Sequence, residues 1–183
     1  MNTPNLLTLL RIILIPVFII FLINGHFGSA LLIFILAGVT DGLDGLIARV
    51  YKQKPVLGSY LDPVADKLLI GSSFMVLTSL KIVPNWLTVT VVSRDILIII
   101  GIMVFFFTSH KVVAKPSIAS KITTCLQLLT IFSVLLNNYS HMIDDNILSV
   151  IVWAAGISTI VSGAHYIYRG SKILSEEEDK GIL

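Results

Sequence analysis

Charge is what this chain has least of. Of its 183 residues only 13% are Asp, Glu, Lys or Arg, against 55% hydrophobic. The formal net charge of +2 is too small to suggest a nucleic-acid partner. A single cysteine, Cys125, excludes an internal disulfide and any metal centre built from several thiolates. The four histidines, His26, His110, His141 and His165, are scattered without ligand spacing. The opening MNTPNLLTLLR has no basic leader region and Arg11 interrupts its apolar run, so a cleaved signal peptide is not expected.

Apolar residues are what the chain has most of. A mean hydropathy of +0.92 is more than a small water-soluble domain can bury, whereas a bilayer solvates it. Six apolar stretches approach the roughly 20 residues that cross a membrane: 5–24, 29–49, 58–80, 84–108, 118–138 and 147–169. The segments NGHFGS, YKQKP, KIVPN, SHKVVAKPS and NNYSHMIDDN carry the turn residues that separate them. The expectation is an all-α bundle of six membrane helices over residues 1–170, followed by a polar tail over 171–183.

Basic residues orient it. With the N-terminus cytoplasmic, the inner loops and tail hold Arg49, Lys52, Lys54, Lys111, Lys115, Arg169, Lys172 and Lys180. The outer loops then hold only Lys81. Both ends are therefore expected inside.

Against this background the acidic residues stand out. Asp41, Asp44, Asp62 and Asp66 fall within 26 residues, at the ends of the second and third stretches. One aspartate at a helix centre costs about 2.5–3.5 kcal/mol on insertion, less near the interface. A single such residue is most simply one that reaches water; four together call for a cation. Asp41 and Asp44 are spaced i, i+3 and Asp62 and Asp66 i, i+4, so each pair shares one helix face. A short linker makes the two helices expected antiparallel neighbours, with the pairs facing each other. Oxygen ligands select hard ions, Mg²⁺ or Mn²⁺, and two dications balance four carboxylates. Such a pair suits displacement at phosphorus. Gly42 and Gly45 between the aspartates leave room for a ligand, or else for a neighbouring helix.

The run Asp41-Gly-Leu-Asp44-Gly45-Leu-Ile-Ala48-Arg49, then Gly58, Asp62 and Asp66, resembles a family signature. It matches D-x2-D-G-x2-A-R-x8-G-x3-D-x3-D, the CDP-alcohol phosphatidyltransferase pattern, at all eight fixed positions. That resemblance implies attack by an alcohol hydroxyl on the lipid-side phosphorus of a CDP-linked lipid, with CMP leaving. It implies that Asp41, Asp44, Asp62 and Asp66 hold two divalent ions, that Asp66 is also the general base, and that the enzyme is a homodimer. Gly45, Ala48, Arg49 and Gly58, with Asn5 and Thr8, are then placed on the nucleotide and CDP-lipid side.

The opening Pro4-Asn5-Leu-Leu-Thr8-Leu-Leu-Arg11, Ser93-Arg94-Asp95 and Ser120-Lys121-Ile-Thr-Thr124 look like the bacterial branch that joins CDP-diacylglycerol to sn-glycerol 3-phosphate. Arg94, Lys121 and Arg11 are accordingly the candidates for the acceptor phosphate. A salt bridge from Arg94 to Asp95 is the structural alternative, although adjacent helical residues point about 100° apart. Lys67 either snorkels or pairs with a motif carboxylate. Other acceptors (inositol phosphate, serine, phosphatidylglycerol) stay open. A membrane prenyltransferase or a carboxylate-lined transporter fits less well, because the acidic groups gather at one face.

Overall fold

The computed structural model describes residues 3–50, 56–107 and 118–178, with side chains over 9–42, 64–101, 103 and 118–171. Among the described residues there are six helices and no strand: α1 Thr3–Ile23, α2 Phe27–Val50, α3 Val56–Ser79, α4 Asn85–Phe107, α5 Ile118–Ser140 and α6 Asp145–Glu178. Each covers one of the six apolar stretches. The largest departure is at the end of α6, which runs to Glu178 rather than stopping near residue 169. Polarity had suggested an end there, but Glu and Lys are good helix formers and sustain a helix after the apolar face is finished.

The turns are closed by backbone bonds. After α1, Gly25 takes φ +74°, and the amides of Gly25 and His26 donate to the carbonyls of Leu22 and Phe21 at 3.1 and 2.9 Å. This paired closure is the Schellman arrangement, in which glycine meets no Cβ penalty. Lys81 repeats it after α3 at φ 60°, with Ile82 donating to the Leu77 carbonyl at 3.0 Å. Asp144 caps α6, its Oδ1 accepting from the Asn146 amide at 2.7 Å.

α1 packs against α2 and α3, α5 against α2, α3 and α6, and α4 against α3 and α6. Among the described residues α2 and α3 have no extensive contact of their own, and α1 and α5 each touch both helices; the linker-proximal residues through which the two were expected to meet lie outside the described side chains.

The apolar core, with Phe18, Leu22, Phe34, Phe74, Leu77, Leu87 and Leu135, occupies the end formed by the close of α1, α3 and α5 and the start of α2, α4 and α6. Burial elsewhere is inverted relative to a soluble bundle. Arg11, Arg94, Gln127, Thr130, Thr159 and Ser162 are enclosed, while Leu32, Val89, Ile118, Val150 and Ile160 are exposed. An apolar exterior with hydroxyl and amide groups inside is what helices in lipid adopt. Along the α5–α6 seam, Thr123 donates to the Ser158 carbonyl at 2.9 Å and Gln127 to Thr159 Oγ1 at 3.1 Å. Ile118–Ser140 and Asp145–Ser171 are long and apolar enough to cross a membrane.

Trp86 of α4 stacks on Trp153 of α6 with ring centroids 4.8 Å apart. Gly156 makes room for this: a Cβ there would lie 2.3 Å from the Trp86 ring. Gly156→Ala should therefore cost about 1–3 kcal/mol through overpacking, read as a lowered thermal midpoint in detergent. An unchanged midpoint would show that the indoles yield freely.

Candidate active site

The polar end of the bundle begins on α1. Arg11 lies on the same helical face as Ile15, Phe18 and Leu22, all of which are buried, so the packing of α1 carries its guanidinium inward. There it meets carboxylates from two other helices. Nη1 donates to Oδ1 of Asp66 on α3 at 2.9 Å. Nη2 lies 2.8 Å from Oδ1 of Asp41 on α2, an ion pair off the direction of a hydrogen bond. The Arg11 side chain is 0% exposed, whereas those of Asp41 and Asp66 are 50% and 41% exposed.

One carboxylate from each predicted pair thus converges on a common point. Asp44 stands on α2 one turn after Asp41, and Asp62 on α3 one turn before Asp66. The side chains of Asp44 and Asp62 lie outside the described residues, as do those of Gly45, Ala48, Arg49, Gly58, Asn5 and Thr8. No cluster of three or more His, Cys, Asp or Glu forms among the described residues, since only two of the four aspartates have described side chains. The donors that are described are half-exposed carboxylate oxygens, which suit Mg²⁺ or Mn²⁺ and not a soft metal. Beside them a Cβ added to Gly42 would meet nothing within 4 Å. That glycine is not required for helix packing against the described residues.

A second polar group begins one residue further along α3. Lys67 pairs with Asp95 of α4, and the same Asp95 Oδ1 accepts from Arg94 Nη1 at 2.8 Å. Arg94 Nη2 donates to Ser162 of α6 at 3.0 Å and to Ser120 of α5. This network ties four helices together. The Arg94–Asp95 bridge forms in spite of the 100° between neighbours, arginine's long stem being able to span that separation.

Two further candidates have defined partners. Lys67 pairs with Asp95, which is not one of the four motif aspartates. Arg94, expected to face an acceptor phosphate, is 3% exposed and held by Asp95, Ser120 and Ser162. Lys121 stands exposed in the first turn of α5, and Lys67 is partly exposed. Ser162 was not anticipated at all. The signal for it was faint: Ser162 and Gly163 form a small-residue patch on α6, and the Arg94 stem passes 3.7 Å from where a Gly163 Cβ would be.

Comparison with known proteins bears on the same residues. A profile for CDP-alcohol phosphatidyltransferases matches residues 1–161. The chain is 30% identical over 190 residues to the CDP-diacylglycerol–glycerol-3-phosphate 3-phosphatidyltransferase of Bacillus subtilis, covering 94% of this chain and 97% of that one. It is 33% identical over 180 residues to the protein of that name from Aquifex aeolicus, covering 97% and 100%. It is also 34% identical over 188 residues to the CMP-forming cardiolipin synthase of Rattus norvegicus, covering 92% of this chain and 61% of that longer protein. The match extends from the first helix into the last and includes both aspartate pairs, Lys67, Arg94, Asp95 and Ser120, and the chain belongs to the CDP-alcohol phosphatidyltransferase family.

Proposed function

We propose that the chain transfers the phosphatidyl group of CDP-diacylglycerol to sn-glycerol 3-phosphate, forming phosphatidylglycerophosphate and CMP. The observation that carries this is the convergence of Asp41 and Asp66, from two different helices, on one partly open point. Asp66 takes the proton of the attacking hydroxyl, the new P–O bond forms at the lipid-side phosphorus, and the bond to CMP breaks. The family generally uses a divalent metal. Asp41, Asp44, Asp62 and Asp66 would hold two such ions, Mg²⁺ or Mn²⁺, and the ions would supply charge stabilisation for the attacking and leaving oxygens.

Gly45, Ala48, Arg49 and Gly58, with Asn5 and Thr8, would line the CDP-lipid side. Lys121, more accessible than Arg94, is the better placed cation for an acceptor phosphate, with Arg94 bracing the pocket.

As a member of this family with helices apolar enough to span a bilayer, the chain is a membrane protein. In the proposed arrangement all six helices cross a bacterial plasma membrane and both ends of residues 1–183 are cytoplasmic. The site then opens to the cytoplasm, where glycerol 3-phosphate and CMP exchange, and residues 171–183 form a cytoplasmic tail beyond the catalytic domain. A homodimer is part of the proposal.

The chain spans only 61% and 64% of the rat and human cardiolipin synthases that it also matches, at 34% and 33% identity. Phosphatidylglycerol as acceptor is therefore the second candidate; coverage of nearly the whole length of the glycerol-3-phosphate enzymes favours the first. Purified protein incubated with CDP-diacylglycerol and a panel of labelled acceptors, with and without EDTA, separates them. Product is expected from glycerol 3-phosphate alone, and only with metal. Cardiolipin formed from phosphatidylglycerol would replace this assignment.

A further inference from the structure

The buried guanidinium and its two half-exposed carboxylates define an inside and an outside to the aspartate site. Arg11 is wholly enclosed, whereas the carboxylates of Asp41 and Asp66 are 50% and 41% exposed. The helices that carry those carboxylates have no extensive contact with each other among the described residues, whereas α1 packs against both. Among the described residues the fork of Arg11 joins Asp41 to Asp66, one terminal nitrogen to each Oδ1.

We propose that Arg11 is a positioning residue for the divalent-metal centre: its buried planar fork spaces the two half-exposed carboxylates of Asp41 and Asp66 and so preorganises them for a cation. This rests on the site being a metal centre, as proposed above. It also moves Arg11 out of the acceptor pocket. Both terminal nitrogens face carboxylates and none of the side chain is exposed, so a water-soluble phosphate has nothing of Arg11 to meet.

The side chain is suited to this by chemistry and by placement. Two carboxylates drawn together repel, and a cation between them offsets the repulsion before any metal binds. Guanidinium offers two terminal donors in a rigid plane, which an ammonium does not. Its backbone is anchored by Ile15, Phe18 and Leu22 on the same face of α1, so the fork does not drift with the mobile end of a long side chain. Groups that orient metal ligands from behind commonly change metal affinity by about 10–100-fold when removed.

The test is Mn²⁺ binding to the detergent-purified full chain, by calorimetry and by the spectrum of free Mn²⁺, for the native protein, Arg11→Met and Arg11→Lys. Both variants are expected to bind Mn²⁺ at least tenfold more weakly. The KM for glycerol 3-phosphate, measured at saturating metal, should move less than about twofold. Lys keeps the charge without the fork, so a role carried by charge alone predicts that Arg11→Lys binds Mn²⁺ like the native protein. That result would overturn the proposal, as would a raised KM with Mn²⁺ affinity intact, which would return Arg11 to the acceptor pocket. If Arg11→Met does not fold, Arg11→Gln provides the neutral variant. Failure of the native protein to bind Mn²⁺ would instead remove the metal centre itself, a different outcome from native binding matched by the variants.

Discussion

Asp66→Asn is expected to lower turnover by at least about a thousandfold, the equivalent of roughly 4 kcal/mol of transition-state stabilisation, in a protein that still folds. Two losses combine. A base positioned on the reacting hydroxyl contributes about 10²–10⁴ in rate, and an amide cannot take the proton. An amide is also a poorer ligand for a hard cation than a carboxylate. The substitution nevertheless leaves the fold its contact: asparagine keeps an oxygen that can accept from Arg11 Nη1, where Asp66 Oδ1 now does at 2.9 Å. The measurement is turnover with CDP-diacylglycerol and glycerol 3-phosphate beside helicity and thermal midpoint in detergent. Near-native turnover would remove Asp66 as the base; loss of the folded state would make its role structural.

The second large effect falls on stability. Asp95→Ala should destabilise the bundle by about 3–5 kcal/mol, because one carboxylate serves the enclosed Arg94 as well as the partly exposed Lys67. Asp95 is 12% exposed and accepts from both Lys67 and Arg94. Among the described residues, removing it leaves Arg94, itself 3% exposed, with the hydroxyls of Ser120 and Ser162, and leaves Lys67 without that carboxylate. An uncompensated charge in an apolar surrounding costs far more than a lost contact between neutral groups. Lys67→Met provides the comparison: it removes one charge but leaves the Arg94–Asp95 bridge, and should cost distinctly less. Thermal unfolding of the three proteins in one detergent decides the point. Equal midpoints for Asp95→Ala and the native chain would mean that water reaches Arg94 freely.

Much of this could be read directly along the chain. The six helices follow from runs of apolar residues broken by Gly, Pro, Asn and Lys, and their limits agree with the structure to within a few residues except at the end of α6. That exception has a local cause, since Ser175–Glu178 is polar but strongly helix-forming. The aspartate spacing places each pair on one face of one helix, because the turn of a helix is a property of consecutive residues. The family signature is equally local.

Pairings between helices were not legible in the same way. Arg11 was assigned to a phosphate and pairs with Asp41 and Asp66; Lys67 was offered to the motif carboxylates and pairs with Asp95; Arg94 gained Ser162, 68 residues away. Hydrophobic period and residue spacing report which face of a helix is buried. They carry no record of which neighbour that face meets, and a flexible cationic side chain accepts any carboxylate within reach. Only the lateral order of the helices, with α1 and α5 each touching both α2 and α3, brings these charges together. By itself, then, the amino-acid sequence determined the helices, the acidic spacing and the family. The tertiary packing decided which cation stands behind which carboxylate, because that choice depends on distances between segments far apart along the chain.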